Sequence, residues 1–302
     1  MNFKNATILA LSTMLISGFS NFIAKIAVTA IKDPIVFTTL KNALVGVLLA
    51  GLIIAYKKWP EIKALSKKQL AMLMTIGFVG GFVPFALFFT GLARTSALNG
   101  SLIHKTLFLW VFVLAVPLLK EKVTKMQWLG AGLIFGANLL VGGFQGFKFN
   151  MGELMILGAT ILWAIENVIA KKALKDISAL TVSGSRMILG SIMLFGLVAW
   201  QGNLHIISGL STQNWSWIIL TSALLSGYVL TWYSALKLAP ATYVATLLVP
   251  ATLVTNILSA VFITHSFSFL NTASGALYIT GTFLVIYFAR QASMKKILPA
   301  TN

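Results

Sequence analysis

The stretch Thr160-Ile-Leu-Trp163-Ala-Ile-Glu166-Asn167-Val-Ile-Ala-Lys171 carries the most information in this chain. It places Glu166 well inside an apolar segment long enough to cross a bilayer, and no other carboxylate in the sequence is so placed. At helical spacing Trp163, Glu166 and Asn167 fall on one face. A carboxylate at such a depth costs roughly 2.5–3.5 kcal/mol on insertion scales, so it is expected to face water, a cation or a substrate. The same stretch repeats an earlier one. Asn167-Val-Ile-Ala-Lys171-Lys-Ala-Leu174 echoes Asn21-Phe-Ile-Ala-Lys25-Ile-Ala-Val28 with five identities in eight, at an offset of 146.

The composition on either side of this stretch excludes a soluble domain. Of 302 residues 58% are apolar and 10% charged, against about 25% charged in ordinary soluble domains. With no Cys, disulfides and Cys-based metal or thiol chemistry are ruled out. Three His and six acids are few for a hydrolytic or metal centre, and no cofactor is expected. Ten apolar spans are predicted, near 7–28, 35–55, 70–93, 95–118, 126–143, 153–172, 178–200, 215–236, 241–263 and 269–289. The first resembles a signal peptide, but its length and its mid-chain copy argue that it is retained.

The net charge of +17 is explained by where the cations lie. With the N-terminus inside, sixteen Lys and Arg fall in inner loops, including Lys57, Lys58, Lys63, Lys67, Lys68, Lys120, Lys122 and Lys125. Three, Lys32, Arg94 and Lys148, fall outside. The positive-inside rule then puts both termini in the cytoplasm, with the chain multi-pass in the cytoplasmic membrane. The basic charge orients the protein in the lipid bilayer; no nucleic-acid partner is expected.

The repeat continues beyond one octapeptide. Lys41, Leu44, Leu49 and Gly51 match Arg186, Leu189, Leu194 and Gly196 at 145, and Gly81-Phe82-Val83 matches Gly227-Tyr228-Val229 at 146. Thr106-Leu107 matches Thr252-Leu253, and Gly130 and Gly136 match Gly275 and Gly281. Five spans per half is an odd number, so the second half enters the membrane inverted. Inverted repeats belong to transporters, with the substrate held near the midplane between them. The fold class is therefore an all-α membrane protein of ten transmembrane helices, two inverted five-helix repeats (1–146 and 147–302) around a central cavity.

In these features the chain resembles the drug/metabolite transporter superfamily, specifically its EamA-type members. Leu118-Leu119-Lys120-Glu121-Lys122-Val123-Thr124 is similar to the family's element after the fourth span. Trp163, Asn167 and the Ala170-Lys171-Lys172-Ala173 exit look like the start of its second repeat. The resemblance implies transport of small metabolites, often amino acids, and export as the direction. It departs in two places. His104-Lys105 stands where the family carries Pro, matching Pro250, and Ser266-Phe267-Ser268 replaces the charged element of the first half.

Candidate substrate-binding residues are Glu166, Lys105, Trp163, Asn167, Asn21, His104, Tyr233 and Trp232, with Glu166 also the proton-coupling candidate. Lys105 lies near the midplane, too deep to reach the interface easily, so it is expected to face a cavity, pair with Glu166 or become neutral. Lys25, Lys171, Lys41 and Arg186 have stems long enough to snorkel outward. Ser17, Ser20 and Asn21 align with the Trp163 triplet and mark a second lining face. Gly80, Gly81, Pro84 and Pro250 break helical regularity and are hinge candidates. The glycines of the fifth and tenth spans suit close packing, and a monomer or a homodimer built there are both open.

The expected function is alternating-access transport of a small amphiphilic metabolite, an amino acid or related compound, with proton coupling or facilitated diffusion. Proton-coupled efflux of cationic drugs is the alternative. An enzyme or scaffold acting on lipid is a third reading. It is disfavoured because an enzyme would usually show a nucleophile–base set or metal ligands, and here no two His and no two acids share a helix at useful spacing.

Overall fold

The computed structural model describes residues 2–31, 33–95, 97–140, 146–265 and 269–297. Among these it is helical, with no strand. Elements run α1 (Phe3–Ala30), α2 (Pro34–Ala55), α3 (Trp59–Lys63) and α4 (Lys67–Ile76). A π-helical turn (Gly77–Phe82) then leads into α5 (Val83–Ala93), α6 (Ala97–Lys105), α7 (Leu107–Leu119) and α8 (Lys125–Leu139). The remainder comprises α9 (Met151–Ala173), α10 (Ala179–Trp200), α11 (His205–Ser208), α12 (Thr212–Leu238), α13 (Ala241–Leu248), α14 (Ala251–Ser259) and α15 (Phe269–Ile297). A second π-helical turn, Ala260–Thr264, follows α14.

Among the described residues nine segments are long and apolar enough to cross a bilayer. They coincide with nine of the ten predicted spans to within a few residues. The remaining one, the fifth, predicted at 126–143, is represented by α8, whose 15 residues fall short of a span before the described residues break off after 140. Capping residues explain several starts. The Asp33 carboxylate accepts from Ile35 and Val36 N–H, with Pro34 in the first turn of α2. Ser66 with Gln69, and Thr124 with Gln127, form capping boxes at α4 and α8. Asn150, Ser178 and Ser211 cap α9, α10 and α12. Satisfying these N–H groups matters at a membrane surface, where an orphan donor faces lipid headgroups or hydrocarbon.

Three irregularities shape the interior of the bundle. The third span bends through its π-helical turn, where Pro84 has no N–H to give the Gly80 carbonyl four residues back. The ninth span breaks at Val249–Pro250, between α13 and α14. The fourth span breaks at Thr106, between α6 and α7, where Thr106 N–H turns back to Ile103 O at 3.0 Å. The fourth span thus has a break at the repeat-related position although His104 stands in place of proline there.

Helix α1 packs on α12 and α14, α2 on α10 and α12, and α5 on α9. The π-helical turn lies against α10, and α8 against α15. Small residues set these distances. A Cβ on Gly81 would meet Arg186 O and Gly190 Cα, so the two backbones touch there. Gly130 and Gly281 likewise face each other's carbonyls across α8 and α15. These two glycines of the predicted fifth and tenth spans are used within the chain, while Gly132 and Gly136 face open space.

Candidate substrate chamber

The described helices enclose a chamber of about 270 Å³. Helices α1, α2, α5, α6, α9, α10, α12 and α14 all contribute side chains to it. Its floor is charged. Glu166 and Arg186 both line it and are 1% and 5% exposed. They are joined through Tyr233, whose hydroxyl donates to Glu166 Oε1 at 2.5 Å and accepts from Arg186 Nη1 at 3.3 Å.

The Gly80 carbonyl completes this network. Deprived of an α-helical partner by Pro84, it accepts from Trp163 Nε1 at 3.0 Å and Arg186 Nε at 3.1 Å. Gly80 has no side chain because a Cβ there would run into the Glu166 methylene. One turn of broken helix therefore supplies an acceptor and the clearance for the acid beside it.

Asn167 and Trp232 extend the floor, with Trp232 Nε1 donating to Asn167 Oδ1 at 3.0 Å. Trp232 stacks on Tyr228, 6.0 Å between centroids and 9° between planes. Phe85, Phe88, Trp163 and His104 form a second aromatic wall with centroid separations of 5.0–5.5 Å. Lys41 enters from α2 with its ammonium 4.3 Å from the Phe89 centroid.

Outside the chamber lining, polar contacts tie together the helix ends around α12 and α13. Lys171 Nζ donates to the carbonyls of Leu236 (2.5 Å) and Ala239 (2.7 Å), closing the C-terminus of α12. Glu121 accepts from Ala241 N–H at 2.6 Å, Thr242 N–H at 3.0 Å and the Thr242 hydroxyl at 2.7 Å, capping α13. Tyr243 meets the Thr7 hydroxyl at 2.8 Å in the same region. Among the lining residues, Ser20, Asn21, Phe22, Leu92 and Ser101 are half-buried.

Of the eight residues singled out from sequence, Glu166, Trp163, Asn167, Asn21, His104 and Trp232 line the chamber. Tyr233 lies just behind its floor, fully buried, and holds Glu166. Lys105 is also buried, but it is outside the lining and its ammonium has no hydrogen-bond partner among the described residues. The Glu166–Lys105 pair, one of the arrangements open for Lys105, does not form among the described residues: Glu166 is held by Tyr233, which also accepts from Arg186. Gly80, Gly81 and Pro84 sit in and beside the π-helical turn, and Pro250 at the break in the ninth span.

Sequence reading treated Lys41 and Arg186 as residues that could snorkel, yet both line the chamber. The signal was present: the repeat keeps a cation at both positions. Phe85, Phe88 and Phe89 carried no signal within so apolar a helix. Lys171 caps a helix rather than snorkelling freely, and the side chain of Lys25 lies outside the described residues. Glu153, the other buried acid of α9, accepts from Asn99 Nδ2 and Phe149 N–H, each at 2.6 Å, and is structural. Among the described residues no group of three or more His, Cys, Asp or Glu is placed to hold a metal ion.

A multi-pass helical membrane protein with a solute-sized internal chamber and a charged floor has the form of a transporter rather than an enzyme. The chain belongs to the EamA-like transporter family, whose model matches it twice, over residues 4–143 and 150–287. It is 25% identical to the uncharacterized transporter YetK of Bacillus subtilis over 93% of this chain and 86% of that protein. A match at 33% identity to YyaM of the same organism spans 44% of this chain and under half, 45%, of that relative. The inner membrane transporter YhbE of Escherichia coli is 27% identical over 68% of each chain. A solved crystal structure, 16% identical, superposes with a TM-score of 0.74 over 95% of this chain and 97% of its own, and shows the same fold.

Proposed function

We propose that the protein moves a small amphiphilic metabolite bearing a carboxylate, an amino acid or related compound, across the cytoplasmic membrane by alternating access. The observation that carries this reading is the chamber floor, where one acid and one arginine meet, buried, under aromatic walls. Binding sites of this kind combine an apolar lining with a few polar groups that orient the ligand.

In this reading residues 1–146 and 147–302 are two five-helix repeats inserted in opposite senses, with both termini cytoplasmic and export as the direction. The offset of 145–146 residues and the double family match support the repeat. Rocking of the halves about Gly80, Gly81, Pro84 and Pro250 would open one end of the chamber while the other closes. Glu166 is the candidate for carrying a proton, released when Arg186 and Tyr233 re-engage it. Efflux of cationic drugs is favoured by the acid and the aromatic rings, but disfavoured by two cations, Lys41 and Arg186, on the same chamber.

Reconstitution into liposomes tests the proposal. Labelled amino acids, their carboxylate analogues and cationic dyes are offered with and without a pH gradient. The expected result is saturable flux of carboxylate-bearing compounds, lost in Glu166→Gln. Normal flux and unchanged pH dependence in that variant would remove Glu166 from the mechanism, and flux of dyes alone would overturn the substrate class.

A further inference from the structure

The charges facing the chamber do not balance. Arg186 and Glu166 answer each other across Tyr233. Lys41 has no such answer. It is 6% exposed and lines the chamber, and its ammonium meets neither a carboxylate nor a hydrogen-bond acceptor among the described residues. Its neighbours are three phenyl rings, with centroids at 4.3 Å (Phe89), 5.3 Å (Phe37) and 5.6 Å (Phe85). Ring faces attract a cation but do not replace its hydration or neutralise it. An ammonium held this way, on the wall of a chamber, lacks an anion.

The position of Lys41 is set from outside the chamber. Its own carbonyl accepts from the Ser222 hydroxyl of α12 at 3.1 Å, which ties this turn of α2 to the second half of the chain. Phe85 stands between the two cations, 5.6 Å from Lys41 Nζ and 5.5 Å from Arg186 Cζ. A ligand lying along this ring would therefore meet positive charge at both edges. The lining holds one acid, Glu166, which Arg186 offsets through Tyr233, so the described lining carries one positive charge in excess.

We propose that Lys41 is the carboxylate-binding residue of the chamber and that the preferred occupant is a small organic monoanion with an aromatic body and no free α-ammonium. The carboxylate sits at the Lys41 ammonium, and the body lies against the Phe85–Phe88–Trp163 wall. This rests on reading the chamber as the substrate site and narrows that reading, since an anion balances the excess positive charge and a zwitterionic amino acid does not.

A matched series tests it: 3-phenylpropionate, phenylalanine and phenethylamine share one body and differ only in charge. Binding to the full-length protein in detergent is measured by calorimetry for the wild type, Lys41→Met and Lys41→Arg. The expected result is that the wild type binds the anion at least tenfold tighter than the other two. Lys41→Met loses that preference and Lys41→Arg keeps it. Equal or tighter binding of the zwitterion or the amine overturns the proposal, as does undiminished anion binding in Lys41→Met. Absence of binding by all three ligands to folded wild-type protein overturns it too. Flux in proteoliposomes separates the two levels. Phenylalanine flux indifferent to Lys41 leaves transport standing and removes this assignment. Lys41-dependent anion binding without flux keeps the assignment and removes transport of that anion.

Discussion

The third and eighth spans hold matching places in the sequence repeat, and they serve the chamber in opposite ways. The third reads Gly80-Gly81-Phe82-Val83-Pro84 and breaks its helix, which frees the Gly80 carbonyl as an acceptor. The eighth reads Ser226-Gly227-Tyr228-Val229-Leu230 and stays helical over 27 residues. It contributes donors instead, the Tyr233 hydroxyl and the Trp232 indole N–H. The same divergence separates α1 from α9, where Ser20 in one copy matches Glu166 in the other. It also separates α2 from α10, where Lys41 is left without an acceptor and Arg186 is surrounded by them. Spans that match in sequence need only pack alike. Once they meet around one cavity, each position is free to supply the group its counterpart lacks.

The strongest challenge to this contrast is to remove the two matched cations in turn. Arg186→Met strands Glu166 without its cation and Gly80 O without one donor, and is expected to cost about 3–5 kcal/mol. Lys41→Met removes an ammonium that has no protein acceptor, and is expected to leave stability unchanged or raised. Denaturant titration in detergent micelles reads both; equal losses would show that the copies are not specialised.

Next in size is Tyr233→Phe, which removes the only hydroxyl between Glu166 and Arg186 and should cost about 1.5–3 kcal/mol. Its counterpart in the first copy is Leu87, so Leu87→Ala should leave the pH dependence of flux as it is while Tyr233→Phe displaces it.

Glycines at the matched bend come third. Gly81→Ala drives a methyl into the backbone of α10 and should destabilise by about 1–3 kcal/mol. Gly227→Ala meets only the tip of Ile16, at 3.2 Å from the added carbon, and should be tolerated. Comparable melting of the two variants would mean that the third span is not held by backbone contact.

The smallest effect lies outside the membrane, at the loop joining the second and third spans. Burial pushes the Glu61 carboxyl up, but the Ser178 N–H it accepts from, at 2.5 Å, and nearby Lys58 together draw it below its ordinary value of 4.5. A carboxylate depressed by folding stabilises above its unfolded pKa and loses that contribution as pH falls through the folded value. Glu61→Gln should therefore cost under about 1 kcal/mol near neutrality. It should also flatten the loss of stability below pH 4.5, read by thermal melts across that range.

Much of this molecule was legible before folding. Glu166 stood out because a buried acid is costly wherever its helix points, and Trp163 and Asn167 followed from helical spacing. The break of the fourth span at Thr106 was less legible, since proline, its usual marker, is absent there. Which cation answers the acid was not legible, because Lys105 is close to Glu166 in depth but lies outside the chamber lining, while Arg186 is on it. Depth follows from counting residues along a span; direction depends on how each helix is rotated about its axis.

The membrane, the spans and the deep acid were all written in the chain itself. Those follow from local requirements: about 20 apolar residues per crossing, a hydrogen bond for each backbone group, and a penalty for charge in hydrocarbon. It took the packed helices to establish that Glu166 answers to Tyr233 and Arg186, that Gly80 supplies an acceptor beside them, and that Lys41 faces the chamber unpaired. Each of these turns on where neighbouring helices approach closely enough to touch. Glycine pairs such as Gly81 and Gly190 set that approach, between segments more than a hundred residues apart.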